Sequence, residues 1–490
     1  MKIMGIDTAI DNAFGKVSDL SMDVIFYSVD LGLLNSAGDP VTMPLILLWL
    51  AFASVFFTVY LGFINFRYFG HAIEVLRGKH DDPDTEGNIN RFQALATSLS
   101  GTVGLGNIAG VAVAVSLGGA GAVFWMVLMG LLGMSTKFVE VTLGVKYRAH
   151  ADAEHPEKLS GGPMYYLKAA FAKRNMHKTG SVMAGIFAVF CIGGSLGGGN
   201  MFQANQSFTQ FVNMTGGTDA SWWADKGWLF GLILAFLVGL VIIGGIQSIA
   251  RVTSKLVPLM GGVYMIAGLT VIALHYQNIP AAFAEIFTQA FSFEAGFGGF
   301  IGALLVGVQR ASFSNEAGLG SAAIVHATAK TNKPISQGFV GMLGPFIDTV
   351  VICLVTALVI VITGSYNDGG EMEGVALTSR ALESGVSWFP YVLGVTVFLF
   401  AYSTLITWSY YGMKCVGYLV GEKDWVDMAF KLVFCGFIVV GCSAELSNVI
   451  TFSDAMILSM GIPNLIGLYL FAPEIKKDLK EYLHALRSKK

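Results

Sequence analysis

Residues 101–110 read GTVGLGNIAG, with glycines at 101, 104 and 106 followed by Asn107. Gly104, Gly106 and Ala109 fit G-x-G-x-x-[GA], the pattern of a turn that cradles a dinucleotide pyrophosphate. That chemistry needs a strand before the glycines, a helix after them and an acidic residue about 20 positions on. Here the next acidic residue after Asn107 is Glu140, and the flanks form an apolar segment of membrane length. The alternative is a membrane helix weakened at its middle. Its freed N–H groups would suit an anion such as a carboxylate, and its freed carbonyls a cation or an ammonium group. A bland reading of the same glycines, close helix packing on small residues, stays open on this stretch alone.

The elements that must carry these residues follow from composition. The chain is 54% hydrophobic and 13% charged, against about 25% charged in an ordinary soluble domain. Charge-free runs such as 43–66, 227–250 and 256–284 exceed the roughly 20 residues that cross a bilayer as a helix. A single soluble globule is excluded, and lipid is the expected partner of the apolar faces. Residues 1–23 hold Asp7, Asp11, Asp19 and Asp23, with Ile3, Ile6, Ile10, Phe14 and Val17 at helical spacing. They read as a retained amphipathic helix on the membrane surface. The five cysteines form no C-x-x-C pair and read as small packing residues. The net charge of -3 implies no nucleic-acid partner.

Hydropathy predicts eleven helices, at 43–66, 92–117, 121–145, 181–210, 227–249, 253–275, 298–325, 336–363, 387–415, 428–446 and 450–472. The second, seventh and ninth are expected to be irregular. Basic residues gather in alternate loops: Arg67, Arg77, Lys79 and Arg91 between the first two spans, then Lys146, Arg148, Lys168 and Lys173 after the third. The tail at 473–490 is also basic. This asymmetry places the C-terminus in the cytoplasm and the N-terminal segment 1–42 outside. "GLGNIA" at 104–109 is echoed by "GLGSAA" at 318–323. Both fall in the first helix of a five-helix set, 92–275 and 298–472, and two sets of odd number must run in opposite directions. The fold class is therefore all-α integral membrane, a 5+5 inverted repeat preceded by the extra helix 43–66.

"SGTVGLGNIAGVA" from residue 100, "GGAGAVFWM" from 118, "GNMFQANQ" from 199 and "SFSNEAGLGSA" from 312 resemble the alanine or glycine:cation symporter family, of the leucine-transporter-type fold. The resemblance runs from the first span to the last, although Leu105 stands where the family often has Thr. It implies a multi-pass protein of a prokaryotic plasma membrane that carries a small neutral amino acid together with sodium, with no enzymatic cofactor. It places the substrate carboxylate against the backbone of Gly104, Leu105 and Gly106 and near Asn107. The ammonium would face the Thr102 carbonyl and the Gln203 amide oxygen. Ala401 and Thr404, three apart on one helical face, would hold sodium with the carbonyls of Ser100 and Val103, since a hard cation takes oxygen ligands. Trp408, one turn on, would floor or lid the pocket, and Val308 is a further pocket residue.

Each of these residues has an ordinary alternative: Gln203 in an interhelical hydrogen bond, Thr404 bonded back to its own helix, Trp408 in packing. Arg310 and Glu316 are costly in hydrocarbon and are expected in a structural or gating ion pair, with Asp348, Glu140, Glu445 and Asp454 as available counter-charges. Glu316, Asp348 and Glu140 also leave proton coupling open. An enzyme is disfavoured, because no intramembrane His pair or Ser/His/Asp set is present in the sequence. A channel is disfavoured by paired broken helices in a single chain.

Overall fold

The computed structural model describes residues 28–34, 40–80, 85–150, 159–292, 297–366 and 374–488. The predicted surface helix at the N-terminus lies outside these residues. Among the described residues the structure is mostly helical, with two small antiparallel ribbons, Ser28–Leu34 with Pro40–Pro44 and Ala149–His150 with Leu159–Ser160. Among the described residues seven helices are long and apolar enough to cross a membrane, eight if one sharply bent pair is a single span. Large apolar side chains such as Phe236, Ile266 and Leu432 are more than 60% exposed. A soluble monomer rarely presents such faces, and lipid accounts for them.

The bent pair is the one the glycines announce. Its first half, Arg91–Thr102, is started by a capping box in which Asn90 accepts from the Gln93 N–H at 2.8 Å and Gln93 accepts from the Asn90 N–H at 3.1 Å. The helix stops at Thr102, passes through extended Gly104 and a 3-10 turn at Leu105–Asn107, and resumes as Ala109–Gly118. The two halves diverge by 58°.

A second break separates Phe297–Asn315 from Ser321–His326, where Glu316, Gly318 and Gly320 all take positive φ. At Glu316 this left-handed conformation is strained, by about 1–3 kcal/mol. The loosened backbone is repaired by side chains. Lys137 donates to the Glu316 carbonyl (2.8 Å), the Glu140 carboxylate accepts from the Gly320 N–H (2.8 Å), and the Asn464 amide donates to the Gly318 carbonyl (2.8 Å). Lys137 and Glu140 come from Gly121–Lys146, which also packs on Pro334–Pro345 through Gly338 and Gly341; a methyl on Gly341 would meet Val141 at 2.5 Å.

The expected irregularity of the ninth segment is corrected. Phe389–Val420 is one unbroken α-helix: its many β-branched and aromatic residues are weak helix formers, but a span must satisfy its own backbone, and past Pro390 in the first turn it holds no proline and glycine only at 394, 412 and 417. The further irregularities are π segments at Gly197–Met201 and Phe346–Cys353, inside helices that otherwise continue. Such bulges are common at functional sites.

Candidate site at the first helix break

The unbroken helix Phe389–Val420 lies directly along the break. Thr404 donates from Oγ1 to the Ser100 carbonyl (2.9 Å), Ser100 Oγ donates to the Ser403 carbonyl (2.7 Å), and Thr407 Oγ1 donates to Ser100 Oγ (3.0 Å). Thr404 thus reaches across to the broken helix. Ser403, one residue earlier, bonds back to its own Phe400 carbonyl at 3.0 Å. Ser100, Val103, Ala401 and Thr404 are all buried, and the Ser100 and Ser403 carbonyls with the hydroxyls of Ser100, Thr404 and Thr407 form a seam of oxygens where these two helices meet. Such oxygens, with little competition from water, have the donor chemistry a hard cation takes.

Trp408 donates its indole N–H to the Gly101 carbonyl at 3.0 Å. Its ring rests on the π segment at Gly199, where a Cβ would overlap the indole, so only glycine admits the ring there. Gly101, Thr102, Gly106, Gly198, Gln203, Phe313, Glu316, Trp408 and Ile457 line a cavity of about 10 Å³, room for about one water. Four residues named from sequence, Thr102, Gly106, Gln203 and Trp408, therefore line one narrow space. Any larger guest requires the walls to part.

The remaining named residues surround that space. The Gly104 N–H bonds the Asn107 side-chain oxygen (2.9 Å), and the Leu105 N–H bonds Gln203 Oε1 (2.9 Å). Gln203 also donates to the Gly198 carbonyl at 2.8 Å, so its amide ties the break to the π segment. The Asn107 amide nitrogen donates to the Asp348 carboxylate at 2.6 Å, and Ser314 donates to the other Asp348 oxygen at 2.6 Å. Asn107 thus braces the break against the helix around Asp348. Val308 is buried in Phe297–Asn315 but does not border the cavity. Phe313 and Glu316 do.

Sequence reasoning passed over Phe313, Glu316, Gly198 and Ile457 as cavity walls. Phe313 and Glu316 lie inside the motif "SFSNEAGLGSA", and Gly198 in a run of three glycines, so local signals existed. Ile457 carried none. Arg310 pairs with Asp454, to which Gln309 also donates at 2.8 Å; of the four available counter-charges this is the one packing selects.

The arrangement matches a known family along nearly its whole length. The family model described as "Sodium:alanine symporter family" matches residues 30–490. This chain belongs to the sodium:alanine symporter family. A member of that family, the sodium/alanine symporter AgcS of Methanococcus maripaludis, is 39% identical over 92% of this chain and 97% of its own length. The amino-acid carrier protein AlsT of Bacillus subtilis is 34% identical over 87% of each chain. Among solved structures, that of MhsT in complex with L-phenylalanine superposes with a TM-score of 0.54 at 14% identity, covering 80% of this chain and 98% of its own. At that identity the likeness speaks to the fold alone, that of the leucine-transporter type. Membership of the sodium:alanine symporter family makes the protein a multi-pass membrane transporter and not an enzyme.

Proposed function

We propose that this chain is a sodium-coupled symporter that imports a small neutral amino acid, alanine or glycine, by alternating access between two five-helix sets at 92–275 and 298–472. The observation that carries the reading is the narrow cavity at the first break, with the Ser100–Thr404 oxygen pair at the same broken helix. Family membership and the name of AgcS support sodium and alanine as the pair. Both glycine echoes fall at helix breaks, which supports the repeat. In this reading the carboxylate meets the backbone of residues 104–106 and the ammonium faces the Thr102 carbonyl and Gln203. Sodium takes the carbonyls of Ser100, Val103 and Ala401 and the Thr404 hydroxyl. Trp408, fixed by Gly101 and Gly199, limits substrate size. One cation crossing 100 mV supplies about 2.3 kcal/mol, which concentrates a neutral solute roughly 50-fold before any sodium gradient is counted.

The test is uptake of labelled alanine by purified protein in liposomes under an inward sodium gradient. Equal uptake driven by protons in sodium-free buffer would replace sodium with the proton coupling that the buried carboxylates Glu316, Asp348 and Glu140 support. Thr404→Ala is expected to raise the sodium concentration for half-maximal uptake about tenfold or more, whereas Gln203→Ala raises the alanine requirement first. The opposite ordering would reverse the division of roles.

A further inference from the structure

The helix Phe69–Leu76 and the turn after it carry a group of side chains that transport does not use. His71 and Glu74 stand three apart on the helix, and His80 follows in the turn. The Oε2 atom of Glu74 lies 3.8 Å from His71 Nδ1 and 3.8 Å from His80 Nε2, and the three ligand atoms are all within 4.8 Å of one another. Lys79 approaches the other oxygen of Glu74, Oε1, at 3.5 Å.

Two further observations point the group at a ligand. His80 Nε2 is buried and has no hydrogen-bond partner among the described residues. A buried ring nitrogen with a carboxylate beside it but no hydrogen bond is placed to take a ligand between them. The far nitrogen of His71, Nε2, lies 3.0 Å from the Tyr482 hydroxyl. If Nε2 carries the proton and donates to Tyr482, the lone pair of Nδ1 faces Glu74 and His80. A metal-bound histidine is held in this way, with its second nitrogen donating to a neighbouring acceptor. The His71 ring is also packed edge-on to Phe339, 5.1 Å between centroids, which fixes its direction.

We propose that His71, Glu74 and His80 form a binding site for a divalent transition-metal ion of the zinc class, with Tyr482 as the orienting partner of His71. Two imidazoles and a carboxylate are a known zinc donor set that leaves a fourth position for water. Zinc–ligand bonds of about 2.0–2.1 Å put tetrahedral ligands roughly 3.3 Å apart, so the 3.8 Å pairs need to close by about 0.5 Å and the two imidazole nitrogens, within 4.8 Å, by up to about 1.5 Å. His80 is on a turn beyond the helix end and can supply that movement. The ion would join the segment between the first two spans to the C-terminal helix Leu446–Arg487, which carries Tyr482. The donors are nitrogen and a single carboxylate, which suits zinc, cobalt or nickel above magnesium or calcium.

The test uses the full-length protein with any affinity tag removed, titrated with Co²⁺ and then Zn²⁺. One equivalent of Co²⁺ should give the visible absorption of a four-coordinate ion, and one equivalent of Zn²⁺ should abolish it. His80→Ala, on the half-exposed turn, should weaken Zn²⁺ binding about tenfold or more with the gel-filtration profile unchanged. Tyr482→Phe should weaken it by a smaller factor, through loss of the orienting bond. No cobalt spectrum at millimolar Co²⁺, or Zn²⁺ affinity unaltered in both His80→Ala and Glu74→Gln, would overturn the proposal.

Discussion

Gly104→Ala is expected to cut sodium-driven alanine uptake about 100-fold while the protein still folds. The backbone at Gly104 is extended, φ -131 and ψ -153, which alanine adopts without strain. The obstacle is space. A Cβ there would sit 2.5 Å from Thr404 Oγ1 and 2.9 Å from Gln203 Oε1. Both side chains must move, Thr404 away from the Ser100 carbonyl and Gln203 away from the Leu105 N–H. Overpacking of this kind costs about 1–3 kcal/mol in stability. A misplacement of about 1 Å at a binding centre costs about 100-fold in function. Gly110→Ala, two residues into the second half-helix where an added methyl meets nothing within 4 Å, is the control and should leave uptake unchanged. The comparison is made by proteoliposome uptake with thermal melts of both variants. Near-normal uptake by Gly104→Ala would remove the first break from the transport site.

Asp454→Leu alone is expected to destabilise the protein by about 3–5 kcal/mol, and Arg310→Met in the same chain to restore most of that loss. Both side chains are about 5% exposed. Removing either leaves a buried charge facing hydrocarbon, whereas removing both leaves an apolar contact of similar volume. Denaturation in detergent should show the single variant well below wild type and the double variant close to it. A single variant as stable as wild type would mean the pair is not closed in solution. The Arg310 guanidinium also lies over the Phe313 ring, 5.5 Å to its centroid, and Phe313 borders the cavity. The double variant is therefore expected to regain stability but to show a changed alanine requirement in uptake.

How much of this was legible in the sequence depends on the range of the signal. Glycines at 101, 104 and 106 weaken a helix locally, so the first break could be read from ten residues. "GLGSAA" marked the second in the same way. The ninth segment, expected to be irregular, carries Ser, Thr and aromatic residues at 402–411, none of which breaks a helix. Nothing local distinguished Asp454 from Glu140, Asp348 or Glu445 as the partner of Arg310; a separation of 144 residues is bridged only by packing. Ile457 reached the cavity wall for the same reason. The π segments were also silent, since one added residue per turn leaves the apolar pattern of a span intact.

The bond from the Leu105 N–H to Gln203 Oε1 gives the site an internal competitor. An amide oxygen is here occupying a donor that, on the proposed reading, serves the cargo's carboxylate. Loading is then an exchange of one acceptor for another: the carboxylate takes the Leu105 N–H, and the released Gln203 oxygen turns to the cargo's ammonium, so removing the side chain loses more than the competition it relieves. The same exchange works in reverse on release. A buried N–H left bare costs about 1–3 kcal/mol, a penalty that would oppose the reorientation of the empty site from one side of the membrane to the other. Gln203 stands in for the departed cargo, so the return stroke need not expose an unsatisfied backbone.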